Sequence, residues 1–322
     1  MNQFITLMKR EYWEHRGGFV KTPIWLTGIF LILVLMAGIT GKSAMFRFDG
    51  SENMVEGGLK YLETQATAEQ LRMGTDALLY GTGAVFTGVL FVVVVFYCLG
   101  SLYDDRRDRS VLFWRSLPVS DMNTVLSKVA TALILAPAIY FIALVLFQLL
   151  LMGLVGLIVL VQGGSPMQLI WLPAEPLSYW SRVLGALVLQ SLWLLPLYGW
   201  LMLVSAWARS KPFLWALLVP AALSLMEVWF HATASFKLGH SLGDILLSRV
   251  TTGFAPISWQ MNDGDESVMV GNAGAGEGLS TEWAVIIERL WTVDMWVGVV
   301  VGVAFFAGAI WIRRYRDDSA TE

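Results

Sequence analysis

Long apolar runs, separated by charged or glycine-rich connections, set the pattern of this chain. Six of them, at about 22–40, 82–102, 126–160, 181–207, 213–231 and 292–312, approach or exceed the roughly 20 residues that carry an α-helix across a bilayer. The pattern predicts an all-α integral membrane protein with six transmembrane helices in a single domain over 1–322. Alternating strands of about ten residues, which a membrane β-barrel needs, are missing from the sequence. Ahead of the first run, Phe4, Ile5, Met8 and Tyr12 recur on one helical face, and Lys9, Arg10, Glu14 and Arg16 are polar. This predicts an amphipathic helix over 1–18 lying in the membrane interface. Gly17-Gly18 and Pro23 then predict a sharp turn into the first span. That span follows basic residues as a signal peptide does, but five more spans come after it, so it reads as an uncleaved anchor.

Two connections stand out by length. Residues 41–80 predict an outer loop with a helical centre near Val55–Met73, made acidic by Glu56, Glu63 and Glu69. The connection 232–290 predicts two short outer helices, Ser241–Val250 and Thr281–Leu290, around a Gly-rich, acidic and mobile stretch, Asn262–Gly278. The third run is too long for one crossing and predicts a kink near Pro137 or an end that projects past the bilayer. Pro196 and Pro220 predict kinks, since a membrane bundle re-satisfies the backbone groups that a proline frees.

Composition agrees with this reading. The chain is 56% hydrophobic and 15% charged, which excludes disorder and disfavours one soluble core. Charge becomes informative once split by side. With the N-terminus in the cytoplasm, fourteen of the 22 lysines and arginines fall on the inside, although the outer segments are much longer. Both termini are therefore expected in the cytoplasm. Cys98 is the single cysteine, so the chain holds neither an internal disulfide nor a Cys-based metal site.

Catalytic motifs fail on inspection. Gly41-Lys42-Ser43 ends like a phosphate loop, but Met36 stands where that motif needs its first glycine. Neither a His-Glu-x-x-His pair nor a nucleophile elbow occurs, and His15, His231 and His240 are scattered. The chain reads as no enzyme, with no metal and no cofactor of its own. Polar residues within the spans are few: Glu227, with His231 one turn later, and Gln148 and Gln190. Intramembrane acids mark function by default. These four are candidate pathway or gate residues, and the other reading makes Gln148 and Gln190 hydrogen-bonded ties between helices.

The densest signal is the connection 103–123, which carries Asp104–Arg109 followed by Val111-Leu112-Phe113-Trp114-Arg115. Apolar knobs rimmed by arginines suit a groove on a partner, and uncovered they are costly. Pro118 ends this short helix, Ser120 or Asp121 caps the next, and that helix runs through Lys128 into the third span. Arg107, Arg109, Leu112, Phe113, Arg115, Pro118 and Lys128 are the expected docking and coupling residues.

Here the chain resembles the membrane subunit of ABC-2-type (type V) ABC exporters. The acidic and basic cluster Asp104–Arg109, the segment Ser110–Leu117, the turn Pro118-Val119-Ser120 and Lys128 match that family's pattern. So do the interfacial Lys9-Arg10-Glu11, six spans and an outer region before the last span. The first outer loop is larger than in minimal members. The resemblance implies a permease subunit in a bacterial inner membrane, paired with a second permease copy, identical or paralogous, and surrounded by membrane lipids. It also implies separate ATP-binding subunits that carry the phosphate loops, ATP and Mg, with no nucleic-acid partner and with a periplasmic partner as a further candidate. Val89–Phe96 and Leu217–Glu227 would then line the dimer interface and route. The rival reading is a non-transport membrane assembly or anchor protein that binds a partner through its outer loops.

Overall fold

A computed structural model describes residues 3–40, 67–108, 120–161, 163–234, 241–254, 259–263, 266–270 and 283–315. Nearly all of them are helical. In order they form α1 (Gln3–Glu14), α2 (Thr22–Thr40), α3 (Ala68–Ser101), α4 (Tyr103–Arg107), α5 (Asp121–Ala130), α6 (Ala136–Val161), α7 (Pro176–Trp193) and α8 (Leu195–Trp207). After these come α9 (Pro212–Ala234), α10 (Leu242–Phe254), the strands β1 (Trp259–Asp263) and β2 (Glu266–Val270), α11 (Trp283–Leu290) and α12 (Val293–Tyr315). Five helices are long and apolar enough to cross a membrane, or six if a bent pair counts as one.

That pair corrects the expectation of a continuous fourth span. Met167–Trp193 and Leu195–Trp207 meet at a bend of 49°. Pro196 lies in the first turn of α8, where a missing N–H is tolerated, so the helix breaks at Leu194 instead of kinking. Pro220, by contrast, sits inside α9 without dividing it.

Three further prolines act through one device. π-helical turns at Gly17–Lys21, Thr131–Leu135 and Met167–Trp171 each end two residues before a proline: Pro23, Pro137 and Pro173. A proline cannot donate to the carbonyl four residues back, and its ring crowds that group. The widened turn moves the bonding out by one residue: Thr22 N–H reaches Gly17 O, Ala136 N–H reaches Thr131 O, and Leu172 N–H reaches Met167 O. The expected kink near Pro137 is thus a bulge within the continuous helical run Asp121–Val161. The expected sharp turn at Gly17-Gly18 is not made either, because His15 N–H bonds Glu11 O and Phe19 N–H bonds His15 O across it.

The first long connection, expected on the outside, is shorter than the pattern suggested. A capping box at Thr67 and Gln70 starts α3 at Ala68, fourteen residues ahead of the expected start of the second span. Its 34 residues extend about 50 Å at 1.5 Å per residue, well beyond a hydrocarbon core of about 30 Å. Residues 41–66 lie outside the described residues. The two outer helices appear as α10 and α11. Between them, β1 and β2 pair antiparallel from Trp259↔Val270 to Asp263↔Glu266, a hairpin where mobile chain was expected; 271–278 lie outside the described residues.

Glycine sets the closest packing. Along α12, Gly298, Gly302, Phe306 and Ala309 form a buried stripe against α8. A Cβ on Gly199 would lie 2.7 Å from the Gly302 carbonyl oxygen and 3.1 Å from Phe305 Cβ. Neither backbone nor ring can yield cheaply, so Gly199→Ala is expected to destabilise the bundle by about 1–3 kcal/mol, read as a lower unfolding temperature in detergent. Gly17→Ala, with open space around its Cβ, is the matched control.

Candidate functional site

At one end of the bundle the N-terminal helix is tied to α3, α4 and α5, and through Asp105 to α12. Glu11 is buried on α1. Its Oε1 accepts a hydrogen bond from Lys128 Nζ at 2.9 Å, and its Oε2 accepts one from the Tyr97 hydroxyl of α3, also at 2.9 Å. Lys128, only 1% exposed, also reaches Asp105 Oδ2 at 3.3 Å. Asp105 sits on α4 and is shared further: Arg10 Nη2 lies 3.3 Å from Oδ1 and Arg313 Nη1 lies 3.4 Å from Oδ2. Arg313, from the end of α12, donates through Nε to Asp121 at 3.1 Å. Among the described residues, the carboxylates of Glu11, Asp105 and Asp121 here meet the cations of Arg10, Lys128 and Arg313, and Arg10 also pairs with Glu14 on the exposed side. Desolvation works to lower the Arg10 guanidinium pKa, but its hydrogen bond to Glu14 and the charges of Glu14, Asp105 and Glu11 outweigh it, and the net shift is upward.

Local structure explains each position. Ser120 caps α5 by accepting the Asn123 N–H at 3.2 Å, which fixes where Lys128 emerges two turns later. The α3–α4 junction is held by Ser205 of α8, whose Oγ accepts the backbone N–H groups of Leu102 at 3.1 Å and Tyr103 at 2.9 Å. Arg106 donates to the carbonyls of Ser205 and Ala208. Asp105 is therefore aimed inward while its neighbour Arg106 staples α4 to α8. His15 packs edge-on against Tyr97 with ring centroids 4.7 Å apart, walling the pair off from one side. Glu11, Glu14 and His15 hold their ligand atoms within 4.8 Å of one another, a grouping of metal-ligand types. Lys128 and Arg10 already neutralise its two carboxylates, which makes this an ion-pair cluster.

The expected site residues divide accordingly. Glu11 and Arg10 do not simply face the membrane interface; they are part of the cluster, and Ile5 and Trp13 are the exposed large apolar residues of α1. Lys9 is exposed. Lys128 belongs to the cluster and is not available as a contact surface. Arg107 is exposed and pairs with its neighbour Asp108 at 3.4 Å. Arg109, Leu112, Phe113, Arg115 and Pro118 lie outside the described residues. Gln148 is a tie between helices: its Nε2 donates to Leu79 O and Thr82 Oγ1, both at 3.0 Å, and its Oε1 accepts from Trp180 Nε1 at 2.8 Å. Gln190 likewise donates to Gly253 O at 2.6 Å. Glu227 is buried, whereas its neighbours Met226 and Val228 are exposed. His231 continues α9, and its side chain lies outside the description.

Sequence reading missed Tyr97, Asp105, Asp121 and Arg313 as one unit, since the pairs are separated by up to 208 positions. It also placed Arg249 only within a short outer helix, Ser241–Val250, without a partner. In the structure α10 carries Arg249 to the break after α7, where its guanidinium lies 4.9 Å over the Trp193 ring. It donates to the carbonyls of Trp193 and Asp294. Burial lowers its pKa and Asp294 opposes the shift.

The chain matches no protein-family model, no curated protein and no solved structure.

Proposed function

We propose that this chain is the permease subunit of an ATP-driven exporter of the ABC-2 type, worked by separate ATP-binding subunits through the connection between α4 and α5. The observation that carries this reading is the ion-pair cluster at the root of that connection. Asp105 precedes it and Lys128 follows it; they pair with each other, Lys128 also pairs with Glu11, and Asp105 also pairs with Arg313. A push on 109–119 would reach α1, α3, α6 and α12 together, because buried pairs move as a unit. The outer faces support a second copy: Leu217, Leu223, Leu225 and Met226 on α9 and Phe96 on α3 are all more than half exposed. In this reading they meet lipid or a paired permease. On the same reading the bent pair is the fourth of six spans, both termini lie in the cytoplasm of a bacterial inner membrane, as the excess of lysine and arginine on that side supports, and α1 runs along the interface. The substrate is a lipophilic or amphipathic molecule or a peptide, since the spans offer mostly apolar surface.

Affinity purification of the tagged full chain from its native membranes tests the reading. An ATP-binding cassette protein is expected to copurify. A chain that purifies without one, but with a protein held by its outer loops, points to the assembly or anchor role instead.

A further inference from the structure

Where α8 ends, α9 begins and α12 ends, the bundle contains a cavity of about 520 Å³. Four large rings wall it, Trp207, Trp215, Trp311 and Tyr315, and Arg209 and Ser210 line its polar side. Trp207 and Trp215 meet edge-to-face with centroids 5.1 Å apart, and Trp311 lies 5.5 Å from Tyr315. The floor is fixed, because Arg106 holds the carbonyls of Ser205 and Ala208. Lys211 follows in a left-handed conformation, φ 49°, that re-aims the chain into α9. Arg314 lies 5.6 Å over the Tyr315 ring.

Two properties specify a ligand. Arg209 lines the cavity, and Lys211 and Arg314 are chain neighbours of its lining residues Ser210 and Tyr315; among the described residues no carboxylate pairs with any of the three cations. This contrasts with the paired cluster around Asp105 on the same end. The aromatic wall also continues into apolar surface, since Phe213, Leu217 and Leu218 of α9 are each more than half exposed. Tryptophan and tyrosine rings sit at headgroup depth in membrane proteins, and basic residues there attract anionic lipid. A soluble phosphate would use the cations and leave the apolar wall bare. A zwitterionic lipid would cover the wall and leave the cations unbalanced.

We infer that this cavity binds the headgroup of an anionic phospholipid, with the acyl chains laid along the exposed face of α9. The inference rests on the membrane-subunit reading only in placing this end at the cytoplasmic headgroups.

The test uses the delipidated full chain in detergent, titrated with phosphatidylglycerol or phosphatidylcholine and followed by native mass spectrometry. Phosphatidylglycerol is expected to bind about 10- to 30-fold tighter, with the preference lost in the double variant Arg209→Gln, Lys211→Gln. Arg182→Gln, on the outer side in this topology, is expected to leave the preference intact. Equal affinity for both lipids, or a preference that survives the double variant, overturns the inference. So does displacement of phosphatidylglycerol by millimolar inorganic phosphate, which identifies a free anion as the ligand. A cavity that binds no lipid but is shielded by a copurifying ATP-binding protein is a protein contact and overturns it as well. Orientation is read separately by labelling Ser210→Cys in intact cells; Cys98 is buried and gives little background. Labelling from outside contradicts the proposed topology and leaves the lipid titration to stand on its own.

Discussion

Replacing Lys128 with methionine is expected to destabilise the folded chain by about 3–5 kcal/mol, because it leaves buried carboxylates without their cation. Glu11 and Lys128 side chains are 2% and 1% exposed, so water does not replace the lost partner. Asp105 keeps Arg10 and Arg313, whereas Glu11 keeps only the Tyr97 hydroxyl and the ring of His15. The damage therefore falls on the seat of α1. Thermal unfolding in detergent reads the loss, and limited proteolysis near Glu14 reads the release of α1. Adding Glu11→Gln in the same chain removes the stranded charge and is expected to restore most of the stability, since a buried pair replaced by neutral groups is often tolerated. A Lys128→Met chain as stable as the parent would show that the cluster is not holding the helices together.

Leu112→Asp and Arg115→Glu are expected to remove the chain's effect on the proposed ATP-binding partner while the protein remains folded. Each change puts a negative charge into a segment whose apolar and basic residues suit a groove. Truncating a central interface anchor costs about 2 kcal/mol or more, about a 30-fold loss of affinity. The readout is partner retained on a tagged chain, alongside an unfolding temperature that stays unchanged. Retention at parental levels in both variants would place the docking surface elsewhere. Together with Lys128→Met, these variants separate docking from transmission: the first pair loses the partner, and the other loses the lever beneath it.

The apolar periodicity made the helices legible because a bilayer demands long unbroken runs. It did not show where they break. Both the bend at Leu194 and the three π turns depend on where a proline falls relative to its neighbours in space, which a window of hydropathy averages away. Glu11 and Lys128 were legible individually, as a helix residue and a loop-flanking cation. Their pairing was not, for the contact joins residues 117 positions apart. Charge counting misled in one respect. It counted Lys128 and Arg313 as markers of sidedness, whereas the fold turns both inward to pair with Asp105. Gln148 and Gln190 carried two readings, and hydrogen bonds to Leu79 and Gly253 favour the structural one. The role of Arg249 was not legible, because only the return of α10 toward Trp193 brings it to the carbonyls it bonds.

The central claim is that ATP hydrolysed on another chain works this one through the connection rooted in the ion-pair cluster. Its most direct test is the ATPase rate of the copurified ATP-binding protein, alone and with the full chain in lipid nanodiscs. The account predicts a rate that rises with the parent chain, falls to the level of the partner alone with Leu112→Asp, and loses its response to the chain in Lys128→Met even where the partner stays bound. A rate indifferent to the presence of the chain, or unchanged in every variant, would contradict it.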